Sequence, residues 1–317
     1  HSDGARCTPT VVGGLVYAVG TDGDLVCVDA STGREVWRTN LEKNLGGRMM
    51  SGWRFSESPL VDGDKVIVTP GSAQSTMVAL NRRTGKLIWR CAAGDIGQNG
   101  ADGAGYSSAV VAQVGDVRMY VQQYGRGLIG VDAATGKLRW SYNRVACGTA
   151  NIMTPIVKDR LVFVSNAYQA GAACVRMVPE SSAVRAEEVY FLPPRTFQNH
   201  HGGAVLVGDY VYGGHGQNAG APTCIELKTG KVMWQASAPG RGSAAVLYAD
   251  GKLYFRYENG TMALIEASPA AYGWLARSTS RLRPGLPGRT RWCSTVVCTF
   301  ATTMSCCATT SAAGASA

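Results

Sequence analysis

A ten-residue pattern recurs four times in the 317-residue chain and limits what it can fold into. Its copies are Val28-Asp29-Ala30-Ser31-Thr32-Gly33-Arg34-Glu35-Val36-Trp37, Leu80-Asn81-Arg82-Arg83-Thr84-Gly85-Lys86-Leu87-Ile88-Trp89, Val131-Asp132-Ala133-Ala134-Thr135-Gly136-Lys137-Leu138-Arg139-Trp140 and Ile225-Glu226-Leu227-Lys228-Thr229-Gly230-Lys231-Val232-Met233-Trp234. The glycines are 52, 51 and 94 residues apart, the last step being two units of 47. Self-similarity at this period belongs to solenoids, propellers and arrays. Each copy reads as strand, turn and strand: an acid or Asn with Thr bonds the turn backbone, and Gly takes the positive-φ corner.

A second strand pair precedes each copy. Thr8-Pro9-Thr10-Val11-Val12 and Leu15-Val16-Tyr17-Ala18-Val19 flank Gly13-Gly14; Ser58-Pro59-Leu60-Val61 and Lys65-Val66-Ile67-Val68 flank Asp62-Gly63-Asp64; Thr154-Pro155-Ile156-Val157 and Arg160-Leu161-Val162-Phe163 flank Lys158-Asp159. The unit is therefore four short antiparallel strands, the content of one propeller blade. No segment sustains a 3.6-residue apolar period, which excludes stacked helical repeats. The expected fold is an all-β propeller. Its blades fall at about 6–38, 56–90, 105–141, 150–191 and 199–235, with a sixth from near 242. The fourth lacks Thr-Gly-Lys-x-x-Trp, and Tyr190, 50 residues after Trp140, stands in for the tryptophan.

The pattern Asp-x-x-Thr-Gly-Lys-x-x-Trp resembles the tryptophan-docking motif of the pyrroloquinoline-quinone-type (PQQ-like) repeat propellers, over residues 8 to 267. That family includes quinoprotein alcohol dehydrogenases and the outer-membrane assembly propellers of the BamB type. The resemblance implies eight blades in a full-length protein, a monomer in the periplasm or otherwise exported, and docking of Trp37, Trp89, Trp140 and Trp234 between blades beside Gly33, Gly85, Gly136 and Gly230. A large, rigid aromatic suits that place.

The chain begins at His1 and enters a first strand almost at once, so we read its start as a fragment boundary with a leader and one blade upstream. No apolar run reaches 18 residues, and no membrane-spanning helix is expected. From Ala267 onward there is no Asp or Glu, but there are five Arg, four Cys and a Ser/Thr/Ala-rich end. Back-translating Gly273 to Ala312 and reading two nucleotides further on gives a peptide containing VVLDGRLYIRDNDVLLCYD, which repeats the grammar of Val246 to Arg256. We therefore divide the chain into a propeller over 1–267 and a frame-shifted last blade over 268–317. Neither Trp274 nor Trp292 has Thr-Gly before it in docking register, so neither should dock. Adjacent cysteines bridge over the cofactor in quinoprotein dehydrogenases, but Cys306-Cys307 falls in the tail and reads as a translation accident.

Without the tail arginines the net charge of +9 falls to +4, which gives no reason to invoke nucleic acid. The remaining cysteines show no Cys-x-x-Cys; Cys27 and Cys224 occupy a position that wants a small residue, as do Ala79 and Gly130.

Strand alternation puts the loops between blades on one face, together with the turns after each second strand, and the Thr-Gly turns on the other. Propellers bind through loops around the axis. The loop face should carry Arg48, Trp53, Glu57, Arg126, Asn151, Asn199, His200, His201, His215 and Arg241. His200, His201 and His215 belong to one blade and could converge as metal ligands or acid/base groups; the plainer alternative, which we prefer, is that they bond neighbouring blades. Three classes of function follow: a non-catalytic scaffold binding a protein or polymer, which we favour; a PQQ- and calcium-dependent dehydrogenase, for which Glu57, Asn151 and Asp95 are candidate ligands or base; and a His-based metal hydrolase or lyase.

Overall fold

The computed structural model describes residues 6–180 and 183–279. These residues form six four-stranded sheets, and in each the strands lie side by side in chain order and pair antiparallel. The blades span residues 10–40, 60–91, 110–142, 156–192, 204–235 and 244–279, and no helix occurs among the described residues. This is the propeller that the repeat requires.

The repeated turn works as its chemistry predicts. Asp29 Oδ1 accepts hydrogen bonds from the backbone N–H of Ser31 (3.0 Å) and Thr32 (2.8 Å), and Gly33 carries a φ of +70°. With the hydroxyls of Ser31 and Thr32 added, these donors hold the Asp29 carboxyl near a pKa of about 2. Asn81 and Asp132 anchor their turns in the same way.

All six blades share one irregularity, a register shift between the third and fourth strands. In blades 1 to 5 it places an aromatic opposite a small residue or thiol: Cys27 opposite Trp37, Ala79 opposite Trp89, Gly130 opposite Trp140, Cys174 opposite Tyr190, and Cys224 opposite Trp234. The ring crosses its partner strand closely, and a Cβ on Gly130 would meet Trp140 Nε1 at 2.0 Å. A bulge that re-aims one side chain is a common sheet device. Here it turns the ring onto the next blade. Trp37 Nε1 donates to Arg82 O (2.9 Å) and its ring covers Gly85; Trp89 Nε1 donates to Ala133 O (3.3 Å) and covers Gly136. Tyr190 does the same with its hydroxyl, donating to Leu227 O (2.9 Å) above Gly230, and Trp234 donates to Ser268 O (2.8 Å).

Blade 4 breaks the pattern. Its outer hairpin continues for four more residue pairs, from Arg176↔Glu187 to Pro179↔Val184, in place of a Thr-Gly turn. Met177 and Val184 pack with Trp140 in the blade 3–4 core, but Trp140 Nε1 has no hydrogen-bond partner among the described residues.

The sixth sheet runs past the expected boundary at residue 267, because Trp274–Thr279 forms its outer strand. Ala276, opposite Leu264, occupies the docking position, while Trp274 lies two residues earlier and is 45% exposed. Trp292, Cys306-Cys307 and the rest of the frame-shift reading from residue 280 lie outside the described residues.

Candidate functional site

The entries to the first strands of blades 1 to 5 surround one cavity of about 220 Å³. Its wall is built from equivalent positions of the repeat, and the hydroxyl two residues before each first strand links one blade to the next. Thr8 N donates to Ser58 Oγ (2.9 Å), Ser58 N to Ser108 Oγ (2.9 Å), and Ser108 N to Thr154 Oγ1 (3.1 Å). In blade 5 that position is Gly202, where a Cβ would fall 1.6 Å from Ala244 O. Arg6, Trp53, Tyr106, Ile152 and His201 complete much of the wall. Trp53 meets Tyr106 edge-on (centroids 6.1 Å apart), its amide donates to the Tyr106 hydroxyl, and its carbonyl accepts from Arg6 Nη1.

Trp53 and His201 are thus the two predicted residues that line the cavity. Ser58, Ser108, Tyr106 and Arg6 were not among those predicted. The signal was present, because Thr8-Pro9, Ser58-Pro59 and Thr154-Pro155 repeat a hydroxyl at one position.

The other candidates are placed elsewhere. Asn151 is wholly buried and fully engaged: Oδ1 accepts from Cys147 N and Asn166 Nδ2, and Nδ2 donates to Tyr124 O and Gly125 O. Asn199 is its repeat equivalent, clamped to Gly203 and Gly214. Glu57 is 2% exposed between blades 2 and 3, where Thr69 N, Thr69 Oγ1 and Gln122 Nε2 donate to its carboxyl. Burial outweighs those bonds and raises its pKa to about 8, so the carboxyl is chiefly neutral at pH 7. Arg48 and Arg126 grip opposite oxygens of Asp102, each at 2.7 Å, where adjoining loops meet in a Met49↔Ala104 bridge. Arg241 is exposed on the connection to blade 6.

The three histidines do not form the shared site that their spacing allowed. His200 uses both ring nitrogens, toward Tyr168 Oη (2.9 Å) and Ser243 Oγ (2.8 Å). His201 lies tilted against it, ring centroids 4.0 Å apart, and faces Glu258 at 3.3 Å. His215 Nδ1 instead accepts from Gln198 N. Burial lowers the pKa of His200 to about 4 and of His201 to about 3. The rings serve as neutral links between blades 4, 5 and 6. Among the described residues no group of three or more His, Cys, Asp or Glu is arranged to hold a metal ion.

A family model described as outer membrane protein assembly factor BamB matches residues 2–236 and, in a second match, 193–299. The chain belongs to the BamB family. Among curated proteins it is similar to quinohemoprotein alcohol dehydrogenase ADH IIB of Pseudomonas putida, at 29% identity over 46% of this chain and 21% of that one. It is also similar to BamB of Burkholderia pseudomallei, at 24% identity over 44% of this chain and 30% of that one. The matched stretches thus span less than a third of these relatives. The crystal structure of BamB from Moraxella catarrhalis shares the fold, with a TM-score of 0.62 at 16% identity over 87% of this chain and 76% of that one.

The dehydrogenase likeness raises the question of PQQ and calcium. Calcium takes six to eight oxygen ligands. In this chain of the BamB family, Glu57 spends its oxygens on Thr69 and Gln122, Asn151 spends its oxygen on Cys147 N and Asn166 Nδ2, and Asp95 accepts from its own loop at Gly97 N. These residues do not fit a shared calcium site.

Proposed function

We propose that this propeller is a non-catalytic binding scaffold that works through its loop face, as a factor in outer-membrane protein assembly. The reading draws its assembly role from the family and its non-catalytic character from one observation. The carboxylate, amide and imidazole groups that could have served a cofactor are committed to bonds inside the propeller: Glu57 to Thr69 and Gln122, Asn151 and Asn199 to backbone, and His200 to Tyr168 and Ser243. What the face offers a partner is shape, exposed Arg48 and Arg241, and the half-buried Trp53. The stacked interblade loops give that surface a fixed form, which lowers the ordering cost of binding. The family likeness supports a periplasmic location for this scaffold. The test is site-specific photo-crosslinking in cells. A photoreactive residue at Arg241 or Arg48 should crosslink to a component of the outer-membrane assembly machinery, whereas one at Lys137, on the Thr-Gly face, should not. Equal crosslinking from both faces, or from Lys137 alone, would refute the loop-face assignment.

A further inference from the structure

Two asparagines of this chain are followed by glycine, Asn99 and Asn259, and both are exposed in loops. Glycine has no Cβ to screen its backbone nitrogen and moves freely in φ and ψ, so that nitrogen can reach the carboxamide carbon of the residue before it. When Gly N bonds to Asn Cγ, its proton passes to water or hydroxide. The Cγ–Nδ2 bond breaks, and Nδ2 takes up a proton and leaves as ammonia. Water then opens the succinimide ring at either carbonyl, giving aspartate or isoaspartate. Nothing is oxidised or reduced, and the one co-reactant is water.

The two pairs differ in how their reacting atoms are held. In the turn after the second strand of blade 6, Gly260 N donates to Tyr257 O (3.0 Å) and Asn259 Oδ1 accepts from Thr261 N (3.2 Å). Gly260 is also buried, so both partners of this reaction are bonded and one is shielded. On the connection from blade 2 to blade 3, Asn143 holds Asn99 by its main chain instead. Asn143 Oδ1 accepts from Asn99 N (3.0 Å), and Asn143 Nδ2 donates to Asn99 O (3.0 Å). The reacting atoms lie outside that clamp. Among the described residues Gly100 N–H has no acceptor and Asn99 Oδ1 has no donor. Asn99 Nδ2 reaches Asn143 O at 3.5 Å, longer than an ordinary hydrogen bond.

We propose that Asn99 is a site of spontaneous covalent modification, converted with Gly100 through a succinimide to aspartate and isoaspartate, whereas Asn259 is protected by its turn. The product adds a negative charge to a loop that already carries Asp95 and Asp102, the second of them held by Arg48 and Arg126. In isoaspartate the chain runs through Cγ, so the Asn99 carbonyl that Asn143 Nδ2 holds becomes a free carboxylate and the loop gains a backbone atom. Gly100 is packed closely where that atom enters, since a Cβ on it would fall 2.1 Å from Gly125 O. Conversion at Asn99 therefore alters both the charge and the form of this loop, whatever the face binds.

Incubation of the whole protein in mildly alkaline buffer, folded and in urea, followed by peptide mapping that measures amide loss at each asparagine, tests this. In urea the two pairs should lose their amides at similar rates, because neither is held. In the folded protein Asn99 should convert at least about tenfold faster than Asn259, which must first break its two hydrogen bonds. A smaller ratio in the folded protein, the reverse order, or an Asn99 that stays intact while the unfolded chain converts overturns the proposal.

Discussion

Trp37 and Trp140 hold the same place in their blades and differ in one atom's environment. Trp37 Nε1 donates to Arg82 O at 2.9 Å, whereas Trp140 Nε1 is buried with no hydrogen-bond partner among the described residues. A net hydrogen bond is worth about 1 kcal/mol, and an unsatisfied buried donor costs a comparable amount. Replacing each by Phe keeps most of the ring and removes the N–H. We expect Trp37→Phe to destabilise the protein by about 1 kcal/mol more than Trp140→Phe, measured by urea denaturation. Equal losses would mean that the N–H groups have no energetic part in joining blades. These aromatics, Tyr190 included, stand out in the sequence because each lies at a fixed step in the repeat. Candidate ligand residues were not legible in the same way. Asn151, Asn199 and Glu57 are polar residues in loops, and only the fold reveals that their partners are backbone groups and neighbouring blades.

At the level of the element, the blade junctions combine a neutral acid and neutral imidazoles, which gives stability a definite pH dependence. The folded state keeps Glu57 protonated up to a pKa of about 8, against 4.5 when it is free. Between those values the unfolded chain binds fewer protons than the folded one, so this group's contribution falls as pH rises. The fall is at most about 1.4 kcal/mol per pH unit. His200 acts in the opposite direction. Its pKa drops from 6.5 to about 4, so its contribution is complete above pH 6.5 and is lost as pH falls through that window. Glu57→Gln retains an acceptor for Thr69 N and removes the titration. Denaturant midpoints taken from pH 5 to pH 9 should decline at the alkaline end for the wild type and much less for Glu57→Gln. Parallel curves would show that Glu57 ionises normally. The sequence could not forecast this, since Glu57 occupies the repeat position filled by Ser107, Met153 and His201, and its burial depends on the adjacent blade.

Across the whole molecule, burial separates inner blades from outer ones. In blade 3 the strand Gly127–Asp132 is buried at every residue, because blades cover both faces. In blade 1 Asp24–Asp29 alternates, with Leu25 and Cys27 buried and Val26 and Val28 half-buried, and in blade 6 Lys252–Tyr257 alternates likewise. One face of each outer blade is therefore partly open among the described residues, with Val26 and Val28 on it in blade 1 and Lys252, Tyr254 and Arg256 in blade 6. The repeat announced blades and their order; it did not announce the cavity at their centre, which depends on how five strand entries meet. On the scaffold function proposed for this propeller, its centre serves binding and carries no quinone chemistry. Titration of the purified protein with PQQ and calcium, followed by absorbance and by dye-linked alcohol oxidation, tests it most directly. We expect no stoichiometric absorbance change and no alcohol-dependent dye reduction. A saturating one-to-one band that requires calcium, together with alcohol oxidation, would contradict it.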